Sequence, residues 1–329
     1  MEVKRRTARS LVDRLQSVGH EEVLPEIRLM SKHDAEMRPL LADAGVTPHL
    51  VHLLSSTVSV SISPDSIENA TATLLNLSIS CPEALMSTPG LLDALSTALL
   101  PPTPPTASQH AAATLFSLLS VESFRPIIGS KRSIVSALVE LVRSPKSRTR
   151  SIKDAVKALF GISLYPMNRA MMVEIGVVAV LFSLVVKDGR TGIVEDATAV
   201  IAQVAGCVES LEAFRKVAGV RGPGGSGGFG DRERVRDQEN AASALLNLVM
   251  SGGESAVGDI AEVEIAEEVV RELAEKGSLR AKSKAGPLLK AMNSGRRDQW
   301  PSCPRMFEDL DSPAGAGDLT QPPSSAVSF

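Results

Sequence analysis

The chain has 329 residues, a formal net charge of −3 and a pI near 6.0, so no overall positive field draws it to nucleic acid or to an anionic membrane. Aromatic residues are only 3% of it, with one Trp and one Tyr, which favours a core of aliphatic helix-on-helix packing. Its three cysteines (Cys81, Cys207, Cys303) are odd in number and far apart, which excludes a disulfide framework or zinc knuckle and points to a reducing compartment.

In chain order, residues 7–18 place Leu11, Leu15 and Val18 on one face and read as an amphipathic opening helix that ends at Gly19-His20. A second helix is expected around Leu24 to Met30, with Pro25 in its first turn. A short helix then breaks at Gly45, and a longer one starts after Pro48. Ser55 to Ser66 reads as a loop, and Glu68 to Ser78 as a long helix. The Pro-rich run 101–106 is expected to be extended polyproline II on the surface. Ile134 to Val142 and Val177 to Val186 read as apolar helices, as do Ile265 to Ala274 and Lys284 to Met292. Between them, residues 221–230 are glycine at six of ten positions and stand where an apolar helix is due, which predicts a flexible break.

These helices repeat. Ala70 of the long helix aligns with Ala111, Ala155, Ala197, Ala241 and Ala285 at steps of 41, 44, 42, 44 and 44 residues. In the same register Leu74 matches Leu115, Leu159, Ile201, Leu245 and Leu289, and Leu77 matches Leu118, Ile162, Val204, Leu248 and Met292. Positions i, i+4 and i+7 share one helical face, so each copy presents a small-then-aliphatic stripe that it cannot bury alone. The expected boundaries are a partial first repeat over residues 1–22, a solenoid over 23–292 and a disordered tail over 293–329.

A short helix, a Gly break, a second helix and a long Ala/Leu/Asn helix at this spacing resemble the armadillo repeat. More narrowly, Glu26 to Leu54, Glu68 to Ser78 and Gly277 to Ala285 resemble units of the repeat region of plant U-box/armadillo proteins. The resemblance implies an all-α, right-handed superhelical solenoid of about six units that acts as a protein-binding scaffold in ubiquitin ligation, as substrate-recognition or adaptor chain. The U-box of that family is a separate module placed before the repeats. Here the repeats begin almost at Met1, so no catalytic activity is expected.

The chemistry-bearing motifs agree. Gly222 to Gly227 formally satisfies G-x-G-x-x-G, but it lacks the strand and the βαβ unit that a dinucleotide site needs. His49 and His52 share a helix without further ligands at metal spacing, and neither Cys81 nor Cys207 has an activating neighbour in sequence. We therefore expect no catalytic residue, no metal and no cofactor, and a soluble cytoplasmic or nuclear protein without membrane insertion, since no uninterrupted apolar run reaches about 18 residues.

Beside the core stripe, about a quarter turn away, lies a small or polar face. It carries Asn69, Thr73 and Asn76, then Ser117, Gln203 and Asn247 at matching positions, and is the candidate groove for extended peptide segments of protein partners. The armadillo resemblance implies that the Asn clamps a peptide backbone by giving and taking one hydrogen bond each. Residues 125–157 hold nine basic residues against two acidic ones, and Arg143, Lys146, Arg148, Arg150 and Lys153 form a candidate basic patch for acidic partner segments. Nucleic acid is not expected there, because no aromatic residues are interleaved. Two other roles remain open: an import-type carrier of basic peptides, for which the single Trp300 lies in the tail, and a signalling or cytoskeletal regulator whose tail carries Ser312-Pro313.

Overall fold

A computed structural model describes residues 1–56, 62–187, 191–218, 231–261 and 266–294, and every regular element among them is a helix. The chain opens with α1 (Glu2–Ser17) and α2 (His20–His33). Triplets of helices follow: α3 (Met37–Asp43), α4 (Val46–Ser56) and α5 (Pro64–Ser80); then α6 (Pro82–Met86), α7 (Leu91–Ala98) and α8 (Pro105–Leu118). The next are α9 (Arg125–Gly129), α10 (Arg132–Arg143) and α11 (Thr149–Ser163), then α12 (Arg169–Glu174), α13 (Val177–Lys187) and α14 (Thr191–Val204). Single 3-10 turns, Glu122–Phe124 and Pro166–Asn168, lead into α9 and α12. The last elements are α15 (Ser210–Ala218), α16 (Asp231–Ala261, broken at Gly253), α17 (Ala266–Lys276) and α18 (Leu279–Ser294).

Two layers result. The long helices α2, α5, α8, α11, α14, α16 and α18 pack each on the next, while α4, α7, α10 and α13 stack as a second layer over them. The aligned stripe is what lies between: Ala70, Leu74 and Leu77, Ala111, Leu115 and Leu118, and Ala155, Leu159 and Ile162 are all at most 1% exposed. In α16 the stripe moves on by one residue, to Ala242, Leu246 and Val249, leaving Leu245 half-buried. In α18, likewise, Leu288 is buried and Leu289 is not. Both sequences offer consecutive leucines, so two overlapping stripes exist and the neighbouring helix selects between them. The buried side chains form one cluster from Ala8 to Val204 and a second from Ala205 to Met292.

Local chemistry explains the helix ends. Ser63 caps α5 by accepting the Ser66 N–H at 3.3 Å, with Pro64 at the first helical position. Gly45, Gly90 and Gly176, with φ of 89°, 79° and 90°, each make the left-handed turn from the first to the second helix of a triplet.

Several sequence expectations need correcting. The opening helix turns Val12 inward, and Val18 is 55% exposed beyond its end. Pro25 sits in the body of α2, where burial of Val23, Leu24 and Ile27 outweighs the lost backbone bond. Pro48 lies in the first turn of α4, which starts at Val46. Residues 101–103 turn tightly, with the Thr103 N–H on the Leu100 carbonyl, and Pro105 begins α8, so the Pro-rich run is not extended throughout. The Gly-rich stretch 221–230 lies outside the described residues. So does the expected tail, apart from Asn293 and Ser294, which finish α18.

Leu159 is 1% exposed in the middle of the long-helix layer. Leu159→Asp should forfeit roughly 1.5–3 kcal/mol of burial and add the larger cost of a buried carboxylate. The expected outcome is a strongly lowered Tm with partial loss of helical circular dichroism; an unchanged melt would place Leu159 outside the core.

Candidate functional site

The polar face predicted beside the stripe exists on the long-helix layer, but its residues are not equivalent. Thr73 is fully buried, and its hydroxyl donates to the Asn69 carbonyl at 2.8 Å, so it is a packing residue with no surface to offer a ligand. Asn69 accepts from Arg28 at 2.9 Å, within a network in which Arg28 also pairs with Glu68. A hydrogen bond from Thr106 and the positive charge of Arg28 hold the Glu68 carboxyl below its usual range against the opposing effect of burial.

The amides have partners that the sequence pattern does not reveal: those of Asn76 and Asn247 reach the preceding repeat, whereas that of Gln203 meets an arginine of its own repeat. Asn76 Nδ2 donates to Ser31 Oγ at 3.0 Å and to the Arg28 carbonyl at 3.4 Å. Asn247 Nδ2 donates to the Ala202 carbonyl at 2.8 Å, and Gln203 Oε1 accepts from Arg169 at 2.7 Å. Asn76 Oδ1, Asn247 Oδ1, Gln203 Nε2 and the Ser117 hydroxyl keep hydrogen-bonding capacity unused among the described residues, and all four side chains are half-buried. On α11 the column has no polar group, because it holds Gly161: a Cβ there would stand 2.8 Å from the Cβ of Leu119, the residue that caps the end of α8. Close packing of two long helices thus removes one rung of the ladder.

A further set of side chains was missed by sequence reasoning. Arg38, Arg125 and Arg169 each reach back to the open carbonyl end of the preceding long helix, onto Ser31, Leu119 and Ser163 at 2.7, 3.3 and 2.8 Å. Asn168, 4% exposed, adds bonds to the Arg125 and Ile162 carbonyls at 3.0 Å each. The signal was available: an Arg six or seven residues beyond each of those carbonyls in the first, third and fourth triplets.

One more column carries electrostatic tension. His110, Asp154 and Asp196 occupy one position on α8, α11 and α14, and each has a buried polar atom with no hydrogen-bond partner. Burial lowers the His110 pKa and raises that of Asp196, the latter opposed by Lys157 and Lys153. Lys157 also lies over the Phe116 ring at 5.5 Å. The candidate basic patch therefore divides. Lys153 is half-buried and acts on Asp196, whereas Arg143, Lys146, Arg148 and Arg150 are exposed at the α10–α11 connection.

His49 is hydrogen-bonded to Gln16 at 3.0 Å, and burial raises the pKa of both Cys81 and Cys207, which makes them poorer nucleophiles. Among the described residues no three His, Cys, Asp or Glu side chains meet at metal-ligand spacing, and no single helix is long and apolar enough to cross a membrane.

A two-layer stack of three-helix units, with small-residue long helices bonded repeat to repeat through amides and arginines, defines an armadillo-repeat solenoid. Solved structures agree: an engineered protein superposes with a TM-score of 0.70 at 25% identity, covering 88% of this chain and 68% of its own. A designed armadillo repeat protein in complex with the peptide (KR)4 superposes with a TM-score of 0.53 at 17% identity, covering 87% of this chain and 99% of its own. Residues 3–222 match the family model of the plant U-box protein ARM repeat region, and the chain belongs to that family. It is 29% identical over 289 residues to U-box domain-containing protein 16 of Arabidopsis thaliana, which covers 85% of this chain. The chain spans 40% of that relative's length.

The Asp196 shift has a testable sign. Between the ordinary carboxylate pKa and the raised folded value, the folded chain holds a proton that the unfolded chain has lost, so stability falls as pH rises through this window. Asp196→Asn should raise Tm by about 1–3 °C at neutral pH, with the gain vanishing below the ordinary carboxylate pKa. Thermal melts across pH check this; a gain that persists at the acid end would contradict it.

Proposed function

We propose that this chain is a non-catalytic protein-interaction scaffold that binds partner segments in extended form along the long-helix layer, as a substrate-recognition or adaptor element of ubiquitin ligation. The observation that carries the reading is the row of uncommitted groups on Asn76, Ser117, Gln203 and Asn247. An extended segment exposes unpaired backbone N–H and C=O groups, and side-chain acceptors and donors of this kind satisfy them without reading sequence. Packed helices lie about 8–10 Å apart, which matches roughly three residues of extended chain. Membership in the plant U-box repeat family and the peptide held by the designed armadillo neighbour support the same reading.

Peptides selected from a random displayed library against the whole chain provide the test. Because Asn76 and Asn247 also tie repeats together, Asn76→Ala with Asn247→Ala should weaken binding tenfold or more and lower Tm as well. Each lost bond is worth only about 0.5–1.5 kcal/mol, so the fold survives. Ser117→Tyr, which touches no inter-repeat bond, should block binding with Tm unchanged. Selected peptides that bind both variants as tightly as the native chain would move the site off this layer.

The non-catalytic part has its own check. Mixed with ubiquitin, its activating enzyme and a conjugating enzyme, the purified chain should assemble no ubiquitin chains; robust assembly with clean controls would refute it.

A further inference from the structure

Where the α10–α11 connection faces α13, the surface opens into a cleft of about 630 Å³. Its floor is aliphatic: Val142, Ile152 and Val180, which are 5, 7 and 9% exposed, together with the half-buried Leu184. Its rim is hydroxyl-bearing and basic, with Ser144, Ser147, Ser183 and Arg143, and the exposed Lys146, Arg148 and Arg150 stand on the same connection. Among the described residues no acidic side chain lines it. The nearby carboxylates Glu140 and Asp154 pair with Arg143 at 3.3 Å and Arg150 at 3.6 Å, while Lys146 and Arg148 have no ion-pair partner among the described residues.

We propose that this cleft docks an acidic segment of a partner protein, with one aliphatic side chain on the floor and flanking carboxylates on Lys146 and Arg148. The surface has the make-up of a small anchor site, an apolar pocket inside a charged rim, and the charge complementarity chooses an acidic occupant. A nucleic acid would find no aromatic side chain on the floor for its bases. The acidic stretch of the chain itself, residues 254–275, turns the described Val257, Ile260, Val270 and Leu273 into its own core, which favours a partner protein as the occupant. The cleft is separate from the amide row and does not depend on the role assigned to it.

A short fluorescent glutamate peptide with one central leucine, titrated into the whole chain at low salt and followed by anisotropy, tests the proposal. Saturable binding is expected, weakening tenfold or more with Lys146→Glu plus Arg148→Glu, with Ser183→Trp filling the cleft, and with the central leucine replaced by serine. Asn76→Ala plus Asn247→Ala should leave it unchanged, which separates this site from the amide row. No saturable binding, equal binding of the serine peptide, or insensitivity to both cleft variants would overturn it. Because Lys146, Arg148 and Ser183 are all exposed, loss of folding does not mimik the expected result; unchanged melts of each variant confirm this.

Discussion

Everything in this molecule depends on one requirement: each long helix must bury an alanine-led aliphatic stripe against the long helix of the next repeat. Ala70, Ala111, Ala155 and Ala197 are fully buried at the closest approach, and the leucines that follow them fill the space the alanines open. A helix with such a stripe has no stable existence by itself, so the array is held by neighbour contacts passed from unit to unit. The same closeness sets limits elsewhere. Gly161 stands where other repeats carry Asn, Ser or Gln, because α11 lies against Leu119 at the end of α8 with no room for a side chain.

Polar groups between repeats serve register as well as recognition. A long helix exposes its last carbonyls, and Arg38, Arg125 and Arg169 answer that need while locking the following unit in place. Asn76 directs two donor contacts and Asn247 one to the previous repeat, and the carbonyl oxygens of both amides have no partner among the described residues. In the binding mode proposed above, a partner's backbone N–H would meet an acceptor whose orientation is already fixed, which reduces the entropy lost on binding. His110, Asp154 and Asp196 show the opposite economy: each holds a buried polar atom without a hydrogen bond, which costs stability.

The repeat region of plant U-box proteins is thus represented here by a layer suited to extended segments and, at its edge, by a basic cleft with an aliphatic floor. The two surfaces differ in chemistry. The first is proposed to recognise backbone, the second charge and a single apolar anchor, and a partner that used both would gain from linking two modest contacts on one chain.

The long helices and the first four copies of the core stripe were legible from the sequence, because a period of 41 to 44 residues combined with i, i+4, i+7 spacing leaves one consistent way to bury the aliphatic side chains. The half-buried placement of Asn76, Ser117, Gln203 and Asn247 beside that stripe follows from the same helical geometry. The burial of Thr73, the inter-repeat bonds of the amides, the arginine caps and the division of the basic patch did not, since each depends on which atom of a neighbouring repeat lies opposite. Sequence periodicity specifies the face a side chain occupies. Only the packed neighbour decides whether that face meets solvent, a carbonyl or another helix, and so the choice between Leu245 and Leu246 as the core residue of α16 was made by tertiary structure alone.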